Sequence, residues 1–338
     1  MEEERFASLG RVEAISRLYE GTAFKPFEST YFETEGRSYS TLKSRCLIEG
    51  TDFDLTYFPL KHLGYKSVIC VTGELYAEFS HPRCLNVVLG VSAKLDYTQI
   101  KELWQGIATA AEEHGYKRVN LDLVPSSNGL SISISASGVT AAVVADRRKA
   151  AKSMDLVCVT GSLGAAFIGL NVLEREKRKF NSHSDDRKQP DLNNYKHFVG
   201  AYLKPELESG IIDAFESDKI MPGYGYFLSK GLADAVNCLV RDSGLGVKIY
   251  AEKVPFTGGS VDLSKELGID PLAAALNGGD DCCLMFTLPI SEAEKFRRDF
   301  QGFDIIGHLA QPEVGATIVT PDGVELPLRA QGWPKSDI

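Results

Sequence analysis

The sequence predicts an α/β (α+β) protein with two domains, and its length, composition and alternation of elements support this. The chain has 338 residues, whereas a single domain commonly has about 150. Apolar residues make up 43% of the chain and charged residues 25%, the ordinary balance of a globular protein with a hydrophobic core. Strand-like and helix-like segments alternate in both halves, and the stretch from 138 to 155 is predicted to join the two domains.

The first half combines strands with one long helix. Three strands are predicted, at Ser67–Leu75, Leu85–Ala93 and Leu130–Ser137. In the third strand, apolar residues at 130, 132 and 134 alternate with serines, which is the period of a half-buried strand. A helix is predicted between the second and third strands, because Asp96 and Gln99 form a capping-box pattern and Gly115 ends the apolar stripe.

The second half begins with a predicted strand that runs into a glycine-containing turn and a helix. The charged tail of that helix, from Glu174 to Lys179, is typical of a solvated helix end. A second helix is predicted to open at Ser229 and to end at Gly244. The other predicted elements are the strand Leu156–Thr160, the loop Asn181–Asn194, the strands Val247–Val254 and Cys282–Leu288, and a strand pair within Ala316–Pro327.

The charge and the cysteines exclude several classes of protein. The formal net charge of −9 repels nucleic-acid phosphates and anionic lipids, so we expect neither nucleic acid nor a membrane as a partner. No apolar run approaches the ~18 residues of a membrane span, and the first residues lack the apolar stretch of a secretory signal. The seven cysteines form no C-x-x-C pair, and the histidines lack ligand spacing. This pattern favours free thiols in a reducing cytoplasm over a zinc site.

Three acidic segments are candidates for cation binding. Gly278–Asp281 precedes a predicted buried strand, and its two glycines allow a ligand to approach the backbone while its paired carboxylates suit Mg²⁺. A tight turn with an Asx-type hydrogen bond explains the same residues equally well. Glu49–Asp54 adds a second acidic segment and Asp122 a third position, although a solvated loop and a strand-end cap are the alternatives there.

Two further motifs carry weaker signals. Thr160–Gly164 is predicted to be a strand-to-helix turn whose helix N-terminus could receive a phosphate, although it matches neither a Walker A motif nor a G-x-G-x-x-G motif. Cys282 and Cys283 alternate across a strand, so only one can face a site, and core packing is the default interpretation. No Ser-His-Asp or Cys-His arrangement is visible, so the catalytic residues stay unknown at this point.

Several groups of residues resemble the thiamine-monophosphate kinases in their order along the chain. They are Glu49-Gly50 with Phe53–Lys66, Thr160-Gly161 with Leu163–Ala166, Gly169-Leu170 with Leu173–Lys177, Leu276–Asp281, and Gly332-Trp333. The resemblance extends over residues 10 to 334. It implies the PurM-like (AIR synthase-like) architecture, in which an N-terminal mixed sheet dimerises and a C-terminal α/β domain follows.

This resemblance carries expectations about domains and chemistry. It implies that residues 1–145 form the dimerising N-terminal domain on the nucleotide side, and that residues 146–338 form the C-terminal domain. Members of the family phosphorylate thiamine monophosphate to the diphosphate in thiamine biosynthesis, using ATP and Mg²⁺. The resemblance therefore implies a cytoplasmic, ATP-binding transferase, with a thiamine-like or other small phosphate ligand and a homodimer.

The chain departs from the family in the motifs that hold ligands. Where the family has metal-binding acids, this sequence has Arg45, Ser162, Phe227 and Lys230. By resemblance, the residues that remain for nucleotide and metal are Glu74, Asp122, Asp280 and Asp281, and those for the substrate are Asp52, Gly278, Gly279 and Trp333. A cation in a metal position repels the metal by several kcal/mol at short range, even at an effective dielectric of about 20.

Because scaffold motifs are kept while ligand motifs are replaced, we expect a thiamine-monophosphate kinase-like protein with impaired or lost catalysis. Two alternatives stay open. One is an active ATP- and Mg²⁺-dependent small-molecule kinase with an altered site, in which Arg45 and Lys230 contact phosphates. The other is a non-catalytic binding protein or heterodimer subunit. We also expect Arg45 and Lys230 to lie near Asp280 and Asp281 and to pair with those acids in place of a metal.

Overall fold

The computed structural model describes residues 11–22, 32–34, 38–141, 151–182, 191–217, 220–292 and 302–330. Residues 142–150 of the predicted domain crossing, residues 183–190 of the predicted loop, and Trp333 lie outside this description. In chain order the helices and strands are α1 (Arg11–Tyr19), β1 (Phe32–Thr34), β2 (Ser38–Ile48), α2 (Leu60–Ala77), β3 (His81–Ser92), α3 (Tyr97–Glu113), β4 (Arg118–Ser126), β5 (Ser131–Ala141), β6 (Leu156–Val159), α4 (Ala165–Ser182), α5 (Lys196–Leu203), α6 (Ile211–Ser217), β7 (Gly225–Phe227), α7 (Leu232–Ser243), β8 (Gly246–Tyr250), α8 (Ser260–Leu267), α9 (Pro271–Asn277), β9 (Leu284–Leu288), β10 (Asp304–Ala310), β11 (Ala316–Val319) and β12 (Glu325–Pro327).

The first sheet contains β1 to β5 in the order β1-β2-β5-β3-β4. Its neighbours are antiparallel except β3 and β4, which run parallel, so the sheet is mixed as predicted. Along β5, Ile132 and Ile134 are buried under the helices, whereas Ser133 is exposed on the opposite face. On that opposite face, Leu42 and Ile48 of β2 are 47% and 46% exposed. This face of the sheet, which we call the open face, is uncovered in the described part of the chain.

Helix α2 corrects one sequence-based prediction. Residues 67–75 were predicted to be a strand, but they lie within the 18-residue helix α2. This helix lies between the two sheets: it contacts β2 and β5 on one side and β7 and β9 on the other. Leu63, Ile69 and Leu75 are therefore all completely buried, although they point to different sides of the helix. A helix buried all round has no apolar stripe, so its run of apolar residues shows no helical period.

Helix α3 confirms the capping box, because the Asp96 carboxylate accepts from the Gln99 amide while the Gln99 side chain accepts from the Asp96 amide, both at 2.9 Å. Helices α2 and α3 approach closely through two glycines. A Cβ at Gly64 would lie 2.0 Å from the Leu103 carbonyl oxygen, and one at Gly106 would lie 1.9 Å from the Lys61 carbonyl oxygen. No larger residue fits at either position without separating the helices.

The second sheet has the order β12-β11-β8-β10-β6-β9-β7 and is also mixed, since β8 and β11 are parallel while the other pairs are antiparallel. Helices α7 and α9 pack on the side where Val157, Leu239 and Met285 are buried. The predicted helix from Ser229 is confirmed as α7, and Gly244 ends it in the left-handed conformation. The predicted strand pair near the C-terminus is confirmed as β11 and β12.

The two sheets share no strand. The core between them is formed by apolar residues of α2, α6, β7 and β9. Within the described residues, no helix has both the length and the apolar character needed to cross a membrane.

Candidate functional site

The most unusual backbone in the second sheet's neighbourhood is the turn from Gly278 to Cys283, between α9 and β9. Gly279, Asp280 and Cys282 have φ values of 73°, 59° and 52°. Residues other than glycine adopt this left-handed region at a cost and cluster in constrained functional segments. The turn is held by Ser229, whose carbonyl accepts from the Asp280 amide at 3.1 Å. A Cβ at Gly279 would lie 2.7 Å from that same carbonyl oxygen, so the close approach requires glycine.

Asp280 forms an ion pair with a buried lysine of α2. The Lys66 Nζ lies 2.9 Å from Asp280 Oδ2, and the lysine side chain is 1% exposed while the aspartate is 29% exposed. The same Nζ donates to the Tyr202 carbonyl at 3.0 Å and lies 3.8 Å from the centroid of the Tyr202 ring. Burial alone would lower the pKa of Lys66, but the charge of Asp280 and the Tyr202 side chain outweigh it, and the pKa is raised. Lys66 is therefore a buried ammonium held by a carboxylate, a backbone carbonyl and an aromatic ring.

Asp281 caps the start of α4. Both of its carboxylate oxygens lie 2.9 Å from the Gly164 amide nitrogen, and one lies 3.5 Å from the Ala166 nitrogen. Burial raises the pKa of Asp281 to about 7, because desolvation outweighs the two amide hydrogen bonds and the charge of Asp280 adds to it. The helix N-terminus that the Thr160–Gly164 motif predicted as a phosphate site is thus occupied by a carboxylate of the chain itself.

Arg45 lies on the inner side of β2, close to the same turn. Burial lowers the pKa of Arg45, but the nearby Cys70, Glu74 and Asp280 raise it further than burial lowers it. Two residues earlier on the same side of β2, the Lys43 Nζ lies 2.7 Å from Glu78 Oε1. Residues 66, 70, 74 and 78 are spaced four apart, so they lie along one side of α2 and its C-terminal end. The basic residues Lys43 and Arg45 of β2 face the acids Glu74 and Glu78 on this side.

Lys230 lies beside the turn through its backbone. Its Cα is 3.3 Å from the position that a Cβ of Gly279 would take, and its side chain is exposed. Lys230 therefore borders the Gly278–Asp281 turn, whereas Arg45 is connected to it by the effect of the Asp280 charge on its pKa. The ion pair that Asp280 forms is with Lys66, which the sequence analysis did not single out as a cation of the site.

Several predicted site residues have other partners. Asp122 lies in the middle of the exposed edge strand β4, not at a strand end, and its carboxylate accepts from the adjacent Leu123 amide at 2.8 Å. The Glu49 carboxylate accepts from the Leu130 amide at 2.6 Å. Asp52 accepts from the Ile48 amide at 2.8 Å. Each of these three acids accepts a hydrogen bond from a backbone amide of the first sheet or its loops.

The remaining replaced positions are structural in their contacts. Phe227 is buried in the core between the sheets, where its ring lies against Gly73 of α2 so closely that a Cβ there would be 2.2 Å away. Ser162 is exposed, and its carbonyl accepts from the Cys283 thiol at 3.7 Å. Of the vicinal cysteines, Cys282 is buried while Cys283 is half-buried. Both cysteines lie in the turn before β9 and not in the strand, so the prediction that they alternate across a strand is wrong.

The carboxylates at the turn do not fit a magnesium site in this arrangement. Mg²⁺ requires freely directed oxygen ligands in octahedral geometry. Asp280 is paired with the ammonium of Lys66, and both oxygens of Asp281 are directed at the Gly164 amide. The guanidinium of Arg45 lies near Asp280 as well. A divalent cation placed here would meet two positive charges and no uncommitted carboxylate pair.

Sequence reasoning missed Lys66 and Tyr202 as members of this site. A signal for Lys66 was present, because a lysine followed by the apolar run from 67 to 71 is placed among buried residues. Lysine is almost never buried without a paired charge. Tyr202 gave no comparable signal, since its contact with Lys66 joins residues 136 positions apart.

Comparison with known proteins supplies relatives for both sequence and fold. No family model matches the sequence. A thiamine-monophosphate kinase of Aquifex aeolicus (strain VF5) is 26% identical over 249 residues, which cover 73% of this chain and 75% of that protein. The thiamine-monophosphate kinase of Bacillus subtilis (strain 168) is 23% identical over 294 residues, which cover 85% of each chain.

Solved structures share the fold. The structure of AaThiL complexed with AMPPCP and TMP superposes with a TM-score of 0.80 at 22% identity, covering 98% of this chain and 99% of that one. Hydrogenase maturation protein HypE in complex with ATP superposes with a TM-score of 0.62 at 16% identity, covering 96% of this chain and 91% of that one. These two-sheet structures define the class of the protein, which has the PurM-like fold. Within that class, the chain is similar in sequence to thiamine-monophosphate kinases.

Proposed function

We propose that this protein is a thiamine-monophosphate kinase-like protein in which Mg²⁺-dependent phosphoryl transfer is impaired or lost. The family reaction moves the γ-phosphoryl group of ATP to thiamine monophosphate, and catalysis of such transfers rests on positioning and on metal ions that neutralise phosphate charge. AaThiL was solved with AMPPCP and TMP, which supports a nucleotide and a thiamine phosphate as the ligands to test on this chain.

The observation that carries the proposal is the Lys66–Asp280 ion pair. To bind a metal, Asp280 would have to release an ammonium whose side chain is 1% exposed. Removing one partner of a buried ion pair typically costs about 3–5 kcal/mol. A metal ion beside that ammonium would also be repelled by several kcal/mol at an effective dielectric of about 20. Both terms oppose the bound metal that the family reaction uses.

An active kinase with an altered site is the competing function. In that case Glu74, Asp122, Asp280 and Asp281 would hold the metal, and Arg45 and Lys230 would contact phosphates. The exposed position of Asp122 and the amide bonds of Asp281 weigh against this set acting together.

The open face of the first sheet favours an assembly. Leu42 and Ile48 are nearly half exposed there, with Ser44 and Cys46 between them on the same face. Exposed apolar side chains on an uncovered sheet are a feature of protein interfaces. We therefore propose a homodimer through this face, with a heterodimer containing an active kinase as the alternative. We further propose a domain division at residues 1–145 and 146–338 and a cytoplasmic location.

Calorimetry with ATP, in the presence and absence of Mg²⁺, tests the proposal. We expect a dissociation constant of about 1 mM or weaker, with no gain from Mg²⁺. A tenfold tighter interaction with Mg²⁺ would contradict the proposal, because it would show that the site accepts the metal.

A matched variant tests the same point through stability. Replacing both Arg45 and Lys230 by aspartate adds acids where the family has them. We expect the melting temperature of this double variant to fall without Mg²⁺ and to recover when Mg²⁺ is added. An unchanged melting temperature in both conditions would show that these two positions do not act on the turn.

A further inference from the structure

A cavity of about 810 Å³ lies beside the first turns of α2 and does not include the Lys66–Asp280 pair. Its walls come from α2, α3 and the segment from Lys204 to Ile211. Thr160, which follows β6, and Cys282 and Cys283, which precede β9, also line it. Lys61 and Tyr65 are one helical turn apart and so share a side of α2, which differs from the side of 66, 70 and 74. The volume lies within the range of small-molecule sites, roughly 300–1,000 Å³.

One end of the cavity is basic. Lys61, His62 and Lys204 line it. Burial lowers the pKa of His62, and the charges of Lys204 and Lys61 lower it further. The Nδ1 atom of His62 is buried and has no hydrogen-bond partner among the residues that the structure describes. A neutral imidazole and two ammonium groups are together suited to an anionic group.

The other end of the cavity is acidic and aromatic. The Tyr65 hydroxyl donates to Glu113 Oε2 at 2.9 Å. Burial raises the pKa of Tyr65, and the hydrogen bond to Glu113 and the charges of Glu113 and Glu206 raise it further. Two carboxylates beside an aromatic ring are suited to an ammonium group or another organic cation.

We propose that this cavity binds a small zwitterion, with its anionic group between Lys61 and Lys204 and its cationic group between Glu113 and Glu206. A ligand with only one sign of charge would be attracted at one end and repelled at the other. A molecule with both charges is attracted at both ends. The cavity shares Cys282 and Cys283 with the end of the Gly278–Cys283 turn. The site is nevertheless distinct from the Lys66–Asp280 ion pair, because none of its seven charged and ring-bearing groups, which include Glu208, is part of that pair.

Three probes of related structure test the charge requirement by calorimetry. O-phosphoethanolamine carries both charges, inorganic phosphate carries only the anionic group, and ethanolamine carries only the cationic group. We expect O-phosphoethanolamine to bind at least tenfold more tightly than either of the other two. Equal affinity of phosphate and O-phosphoethanolamine would overturn the proposal, and so would the absence of binding by all three at millimolar concentration.

Paired variants assign the two ends. Lys61→Met with Lys204→Met should weaken O-phosphoethanolamine at least tenfold, and so should Glu113→Gln with Glu206→Gln. Matched controls are Lys101→Met and Glu112→Gln, which change exposed residues of α3 that do not line the cavity.

The controls also decide whether the site is the one described. If either double variant binds O-phosphoethanolamine as tightly as its control does, the ligand lies elsewhere and the proposal is wrong. The NMR signal of the His62 ring supplies a direct readout in the wild-type protein. Its pKa should rise when the phosphate group is bound, because an anion beside the ring favours the imidazolium. An unchanged His62 titration in the presence of bound ligand would likewise contradict the assignment.

Discussion

Replacing Lys66 by methionine should destabilise the protein strongly, because the change removes the charge while leaving most of the side-chain stem. The ammonium holds Asp280 at 2.9 Å and the Tyr202 carbonyl at 3.0 Å. Removing one partner of a buried ion pair costs about 3–5 kcal/mol. Asp280 is 29% exposed, however, so water can solvate part of the charge that is left behind. We therefore expect a loss of about 2–3 kcal/mol in the free energy of unfolding.

A double-mutant cycle in urea isolates the pair. Asp280→Asn alone should also destabilise the protein, because it leaves a buried ammonium with only neutral partners. The double variant Lys66→Met with Asp280→Asn should lose at least ~1 kcal/mol less stability than the sum of the two single losses, because the effects of substituting two contacting charges are not additive. Additive losses, or a loss below about 0.5 kcal/mol for Lys66→Met, would refute the reasoning, since surface changes have effects of that size.

Three further outcomes are expected. Gly106→Ala should lower the free energy of unfolding in urea by about 1–3 kcal/mol, because its Cβ would lie 1.9 Å from a backbone carbonyl of α2. Gly200→Ala is the control: nothing lies within 4 Å of its Cβ, so it should be neutral or slightly stabilising. Equal effects of the two substitutions would contradict the close packing of α2 and α3. Burial raises the pKa of Asp281 from 3.8 to about 7, so between these pH values the folded state binds a proton that the unfolded state has lost. The free energy of unfolding, measured relative to that of Asp281→Asn, should therefore fall by up to about 1.4 kcal/mol per pH unit as the pH rises from 5 towards 7. A difference between the two proteins that does not change with pH would show that this carboxylate titrates normally. Ile48→Lys should convert a dimer into a monomer by light scattering, whereas Val261→Lys, at a similarly exposed position of α8, should not; a wild-type monomer at micromolar concentration would refute the proposed dimer.

The sequence predicted best those elements whose signals are local. The capping box at Asp96 and the alternation along β5 depend on residues within a few positions of each other, and the structure confirms both. Gly244 likewise ended α7 where the pattern placed it. These signals reflect backbone chemistry that acts in any tertiary context, which is why they could be interpreted without the fold.

The errors and omissions arose where distant parts of the chain meet. Helix α2 was interpreted as a strand because both sheets bury it and its polar side is lost. The role of Lys66 could not be deduced, since its partners Tyr202 and Asp280 lie 136 and 214 residues away along the chain. Asp281 is directed at the Gly164 amide, 117 residues away. Spacing in sequence predicted that the acids are close to a turn but not which groups they would contact.

The central claim is that the acids of the Gly278–Asp281 turn are committed to partners within the chain and do not support phosphoryl transfer. The most direct test is a turnover measurement with purified protein, ATP, Mg²⁺ and thiamine monophosphate, in which thiamine diphosphate is separated and quantified. We expect no product above a control without protein. Formation of thiamine diphosphate at ~1 s⁻¹ or faster, within the range of ordinary enzymes, would contradict the account.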